Sequence, residues 1–206
     1  LLANETTTYC LNKSPNTITI DAGLLNASGN NPTFQWFLNS ALLPDVTPSI
    51  PINETGTYTV LVTFANTCSA SRDITVIPSN TATIDAILVS QASSNNTVSI
   101  QVSGEGDYQF ALDAPIFQNE NTFTNVTAGF HTVYVYDVNG CGTIQKGVAV
   151  LGFPKFFTPN NDGFNDTWKP LGVNAQFNNE VDIKIFNRYG KFIKQINPFE
   201  LVGMVL

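Results

Sequence analysis

Apolar and polar residues alternate along most of this chain with a period of two, as they do in a strand that buries one face. In the first part, TITID (17–21), TFQWFL (33–38), TYTVLVTF (57–64) and DITVIP (73–78) read as strands. Further on, ATIDAILV (82–89), TVSIQV (97–102), DYQFALD (107–113) and HTVYVYDV (131–138) do the same, and short turn-rich stretches separate them. Neither region has helical periodicity. The pattern predicts an all-β chain of packed two-layer modules.

The two sets of strands are copies of one another. GTYTVLVTFANTC (56–68) and GFHTVYVYDVNGC (129–141) match in length and pattern at an offset of 73, with Tyr58, Val60 and Val62 opposite His131, Val133 and Val135. Upstream, at an offset of 74, Phe34-Gln35-Trp36 meets Tyr108-Gln109-Phe110, so an aromatic core position is kept. A period this long describes a repeated domain rather than a solenoid unit. The expected organisation is a module over 1–79, a second over 80–151, and a different segment over 152–206.

The run Asn53-Glu54-Thr55-Gly56-Thr57-Tyr58-Thr59-Val60 resembles the immunoglobulin stretch of acid, glycine and tyrosine that leads into the second core cysteine, with Val60 in the cysteine's place. Trp36 then stands where such domains carry a strand C tryptophan, which implies tandem immunoglobulin-like β-sandwiches. The chain has three cysteines. Cys68 and Cys141 are repeat counterparts, while Cys10 falls opposite Thr83, so a Cys10–Cys68 bridge is expected and Cys141 is left without a partner. Such a bridge is worth about 4 kcal/mol in the chain-entropy model and implies an oxidising compartment. Two unbridged structural cysteines are the alternative.

From Leu151 the pattern changes. The run Phe157-Thr158-Pro159-Asn160-Asn161-Asp162-Gly163-Phe164-Asn165-Asp166-Thr167-Trp168 is followed by a hairpin pattern. In it Val181, Ile183 and Ile185 alternate with Asp182, Lys184 and Phe186 ahead of a turn at Asn187-Arg188-Tyr189-Gly190, and Lys191-Phe192-Ile193 begins the return strand. Both motifs, in this order, resemble the gliding-motility-associated C-terminal domain, the type B sorting domain of the type IX secretion system of Bacteroidota. The resemblance spans about the last quarter of the chain. It implies a secreted protein of the outer cell surface, with the type IX translocon and its shuttle proteins as partners. Repeats of gliding-bacterium adhesins are similar to the second module.

The family's closing Gly-Trp-Asp-Gly does not appear after the hairpin, so the sorting domain reads as truncated, with an open sheet edge available for self-association. Out of frame, codons for 201–205 admit that motif; a frameshift just before Leu201 and an authentic tail are both open. The beginning, LLANETTTYC, lacks the basic and apolar regions of a signal peptide and reads as an internal start.

Candidate chemistry is sparse. Asn160, Asp162, Asn165 and Asp166 concentrate oxygen ligands around Gly163, which suits calcium. The same residues also make ordinary turns, because Asn, Asp and Gly tolerate left-handed backbone. His131 is the sole histidine and occupies the position of Tyr58, so a packing role in its strand is expected, and no GxSxG, HExxH or phosphate-loop motif accompanies it. The reading is of a chain without catalysis. Tyr134 and Tyr136, opposite in face to Val133 and Val135, are the candidates for an extracellular protein or glycan ligand.

Composition narrows the partners. Nine Lys and Arg against sixteen Asp and Glu leave a net charge of −7, which disfavours nucleic acid, since phosphate binding needs clustered cations. Charged residues are only 12% of the 206, so Asn, Thr and Ser make the polar surface. Several Asn-x-Ser/Thr triplets, among them those at Asn26, Asn53, Asn125 and Asn165, follow from that richness. No apolar run approaches the roughly 18 residues of a membrane helix.

Overall fold

A computed structural model describes residues 1–25, 31–65, 68–91, 95–158, 160–178 and 180–197. Strands and bridges account for 52% of the described residues, which hold no α-helix, only the 3-10 turn Leu11–Lys13, so the chain is all-β. It divides into two compact units. The first is Leu1–Ala82 with Gly104–Asp107 and Asp137–Gly142; the second is Thr83–Ser103, Tyr108–Tyr136 and Thr143–Leu206.

In the first unit lie β1 (Glu5–Cys10), β2 (Ile18–Asp21), β3 (Thr33–Leu38), β4 (Ala41–Leu42), β5 (Ser49–Ile52), β6 (Gly56–Thr63) and β7 (Ser69–Ser79). One sheet has the order β1-β7-β6-β3-β4, and β2 pairs with β5 in the other. The alternation in β6 buries Tyr58, Val60 and Val62, and the register sets Trp36 opposite Val60. Trp36 is fully buried, with its Nε1 donating to the Thr47 carbonyl at 2.9 Å, so the polar edge of the indole is not stranded in the core. Tyr58 Oη donates to the carbonyl of Glu54 at 3.0 Å. A tryptophan on the third strand and a tyrosine corner at the start of the sixth are immunoglobulin hallmarks, kept here without the core disulfide.

Strand β1 was not legible in the alternation. It pairs in parallel with β7, Glu5 opposite Ile74 and Cys10 opposite Ser79. Arg72, 3% exposed, fastens the same edge: Nε donates to the Ala3 carbonyl at 2.9 Å, Nη1 to the Asp21 carbonyl at 2.6 Å, and Nη2 meets Glu5 at 2.7 Å.

This parallel ladder overturns the expected disulfide. Cys10 bonds Cys141, with Cα atoms 5.3 Å apart, and Cys68 is exposed and outside the bridge. The reason is geometric. Cys68 immediately precedes β7 while Cys10 lies beside the strand's last residue, Ser79, so at ~3.3 Å per residue the two are roughly 35 Å apart, far beyond disulfide reach. The turn 137–142 supplies the partner instead. Asp137, 1% exposed, accepts at Oδ1 from Ser79 Oγ (3.0 Å) and Asp107 N (3.2 Å), and at Oδ2 from Cys141 N (3.0 Å). Asn12 Nδ2 and Thr81 Oγ1 both donate to the Cys141 carbonyl at 3.0 Å.

The second unit contains β8 (Thr83–Ser90), β9 (Asn96–Ser103), β10 (Tyr108–Leu112), β11 (Thr122–Val126), most of β12 (Gly129–Asp137) and β13 (Thr143–Val150). Sheets β11-β9-β8 and β10-β12-β13 enclose Val98, Ile100, Phe110, Val133 and Val135. The repeat is visible in the fold. Val133 and Val135 are as fully buried as Val60 and Val62, and Gly129 has φ +144° where Gly56 has +143°. Later residues of the same unit pack beside this sheet: just past β13, Gly152 and Leu171 exchange backbone hydrogen bonds of 3.2 and 2.8 Å, and the Phe177 ring is 6.2 Å from that of Phe130 on β12. Gly172, at φ +70°, has to be a glycine, since a side chain there would strike the Val150 carbonyl. The last strands among the described residues are β14 (Ile183–Phe186) and β15 (Phe192–Ile196), the expected hairpin. The tail beginning at Leu201 lies outside the described residues, as do Asn26 and Pro159.

Candidate functional site

The two C-terminal motifs converge. In the first, the chain from Phe157 to Trp168 turns back on itself: Thr158 N donates to the Asn165 carbonyl at 2.7 Å. Asp166 holds the loop from within, accepting Asn161 N at Oδ1 (2.6 Å) and Gly163 N at Oδ2 (2.7 Å). Asp162 Oδ1 accepts Phe164 N at 2.7 Å, and Asn160 Nδ2 donates to Asp162 Oδ2 at the same distance. The Phe164 N–H and then the Asn160 amide hold the Asp162 carboxyl below the usual carboxylate value. Asn161, Gly163 and Asn165 all have positive φ, which explains why Asn and Gly fill this loop.

The calcium and turn readings therefore differ in what they need from the same oxygens. Both carboxylates are turned onto the loop's own donors, and among the described residues no group of three or more His, Cys, Asp or Glu could hold a metal ion. That geometry matches a self-capped turn.

Trp168 ends the loop and begins the core of the hairpin. Its Nε1 donates to the Pro154 carbonyl at 3.0 Å, and its ring stacks on Phe153 at 5.8 Å with planes 4° apart. Buried Ile183 and Ile196 pack together with Trp168, Val181 and Ile185. In the hairpin turn Asn187 Oδ1 accepts both Tyr189 N and Lys191 N at 2.9 Å, and Gly190 takes φ +76°. The Arg188 guanidinium lies 5.1 Å from the centroid of the Tyr189 ring, and Phe186 meets Phe192 edge-on at 5.8 Å.

Between these elements runs an open groove of about 600 Å³. Phe157 and Trp168 from the loop line it together with Ile183, Ile185, Phe186 and Ile193 from the hairpin. Phe186 and Phe192 remain about half exposed and Tyr189 is 79% exposed, so this end of the chain presents aromatic surface to solvent. Sequence reading singled out both motifs. It missed Phe153 and the Pro154 carbonyl, which anchor Trp168 and whose neighbours carry no periodic signal.

The other candidates sit elsewhere in the second unit. Tyr134 and Tyr136 are half-buried on β12, opposite Gln145 and Thr143 of β13. Tyr136 packs its ring 5.3 Å from Phe117, a residue sequence reading had passed over, and the adjoining Ile116 is 81% exposed. His131 is engaged at both ring nitrogens, Nδ1 with Asp113 Oδ2 (2.7 Å) and Nε2 with the Thr127 carbonyl (2.8 Å). Burial pushes the Asp113 carboxyl up, but the His131 and Thr132 hydrogen bonds and the histidine's charge together bring it below its usual value.

Comparison with known proteins bears on the C-terminal part. Residues 151–200 match the CHU_C type IX secretion signal domain. No curated protein shows significant similarity to the chain. Among solved structures, the N-terminal eight immunoglobulin domains of Down syndrome cell adhesion molecule align over 76% of this chain, at 15% identity and a TM-score of 0.43. The aligned region spans only 24% of that molecule. Murine CEACAM1b aligns over 73% of this chain and 98% of its own, at 12% identity and a TM-score of 0.46. The C-terminal 282-residue fragment of intimin aligns over 75% and 67%, at 14% and 0.43. The fold assignment rests on the strand order described above rather than on these likenesses. No helix among the described residues is long and apolar enough to cross a membrane. The loop, its Trp168 anchor and the β14–β15 hairpin all fall inside the matched span, so residues 151–200 carry a type IX secretion signal domain, behind immunoglobulin-like β-sandwich structure, and the protein is a secreted one.

Proposed function

We propose that this chain is part of an adhesin-like protein of the outer cell surface. Modules over 1–79 and 80–151 serve as spacer and contact surface, and 152–206 directs passage through the type IX translocon and its shuttle proteins. The observation that supports this best is the single groove shared by Phe157, Trp168 and the hairpin, inside the matched signal domain. A recognition surface needs such preformed, partly exposed aromatic anchors. The reading includes no catalysis, in keeping with a sole histidine whose two nitrogens are both occupied. The test is display of the full chain in a bacterium with a type IX system. Surface antibody labelling is expected for the wild type and loss of it for Trp168→Ala; retention of the wild-type chain inside the cell would refute the reading.

A second reading, as carbohydrate-binding accessory modules of a secreted polysaccharide-degrading enzyme, is favoured by the Tyr136–Phe117 pair beside Tyr134. Saturable binding on a glycan array, abolished by Tyr134→Ala or Tyr136→Ala, is its signature. Self-association is a further partner reading, since β14 and β15 pair only with each other among the described residues. Sedimentation of the purified chain over a concentration series tests it.

A further inference from the structure

The Cys10–Cys141 bond joins residues separated by 131 positions, so almost everything described above as repeat structure lies inside one covalent loop. We propose that this bond is a load bypass. Tension applied to the chain on either side of the pair passes from residue 10 through the two sulfurs to residue 141, and residues 11–140 carry none of it.

Three observations support that role. The bond closes around β2 through β12, so of the strands in the two repeats only β1 and β13 lie on the loaded side, and the strands between them cannot be drawn out while the bond holds. Cys141 is only 3% exposed, and Asp137, Asn12 and Thr81 hydrogen-bond its backbone N–H and carbonyl, which fixes the turn that carries the bond. The short lead before Cys10 is secured as well, because β1 is paired along its whole length with β7 and Arg72 bonds the Ala3 carbonyl. A bridge within one module, Cys10 to Cys68, would have shielded the first module alone. The inference rests on the adhesin reading for its purpose, since only a surface contact is pulled; its test does not, because a chain that fails the display assay still gives the same force curve.

The experiment is single-molecule stretching of the full chain, tethered at both ends, with and without TCEP. For the oxidised chain, extension is expected only from the residues outside the loop. Reduction is expected to add roughly 430–470 Å of contour length, from ~3.3–3.6 Å for each residue released. Cys68→Ser is expected to behave as the wild type, and Cys10→Ser to show the full length without reductant. A gain of roughly 190–210 Å, the length a Cys10–Cys68 bridge would release, or no gain at all, overturns the proposal. Should Cys10→Ser fail to fold, peptide mapping of the non-reduced wild type decides: linked Cys10 and Cys141 peptides support the bypass, and separate ones overturn it.

Discussion

His131 and Tyr58 make the same hydrogen bond in successive repeats: Nε2 of His131 to the Thr127 carbonyl at 2.8 Å, and Oη of Tyr58 to the Glu54 carbonyl at 3.0 Å, each four residues upstream. The histidine therefore replaces a tyrosine corner, pinning the loop that enters its strand. It adds a contact that tyrosine lacks, to Asp113 Oδ2, and Asp113 Oδ1 in turn accepts Thr132 N at 3.0 Å.

That addition makes the second module sensitive to acid. Asp113 has its folded-state pKa lowered below 3.8, so its stabilising contribution is complete above the unfolded value and is lost as pH falls through the folded one. Urea unfolding followed from pH 6 down to about pH 2 is expected to show a steeper loss of stability for the wild type than for Asp113→Asn, with the difference setting in as pH falls into the ordinary carboxylate range and growing until it passes the folded-state pKa. Equal slopes would mean that the pair contributes nothing.

Arg72 is expected to matter through its carbonyl partners more than through its ion pair. Glu5 is 46% exposed, so that contact is weak, whereas Arg72→Met leaves the Ala3 and Asp21 carbonyls without their donor. A loss of about 2–4 kcal/mol in denaturant unfolding is expected, and Glu5→Gln should cost less than about 1 kcal/mol.

The two repeats predict their own tolerance at the core aromatic. Phe110, 6% exposed, fills the position that Trp36 fills in the first module. Trp36→Phe is expected to cost about 1–3 kcal/mol, since it removes the bond to Thr47 along with some volume, and Trp36→Ala about 3–5 kcal/mol. Denaturant midpoints of the two variants give the comparison.

In the 157–168 loop, the oxygens that calcium would use already accept N–H donors. Millimolar calcium is expected to leave the melting temperature where EDTA leaves it. Asp166→Ala, by contrast, should speed amide exchange at Asn161 and Gly163 by about tenfold, in keeping with about 1–2 kcal/mol for two lost bonds. A calcium-dependent rise in melting temperature would show that the carboxylates are available to a cation.

All eight strands read from alternation in the modules are present, because burial of every second side chain is a local property that composition at each position already specifies. The hairpin was legible for the same reason, with Asn187 and Gly190 marking its turn. Charge, the repeat and the two C-terminal motifs were likewise readable along the chain, and they pointed to secretion. What the residues in order could not reveal was which distant groups meet. Pairing of β1 with β7 is parallel and non-local, and only that ladder carries Cys10 away from Cys68 to the turn held by Asp137. The burial of Arg72, and the shared groove of Trp168 and Ile183, were decided the same way, by which chain segments found one another once the cores had closed.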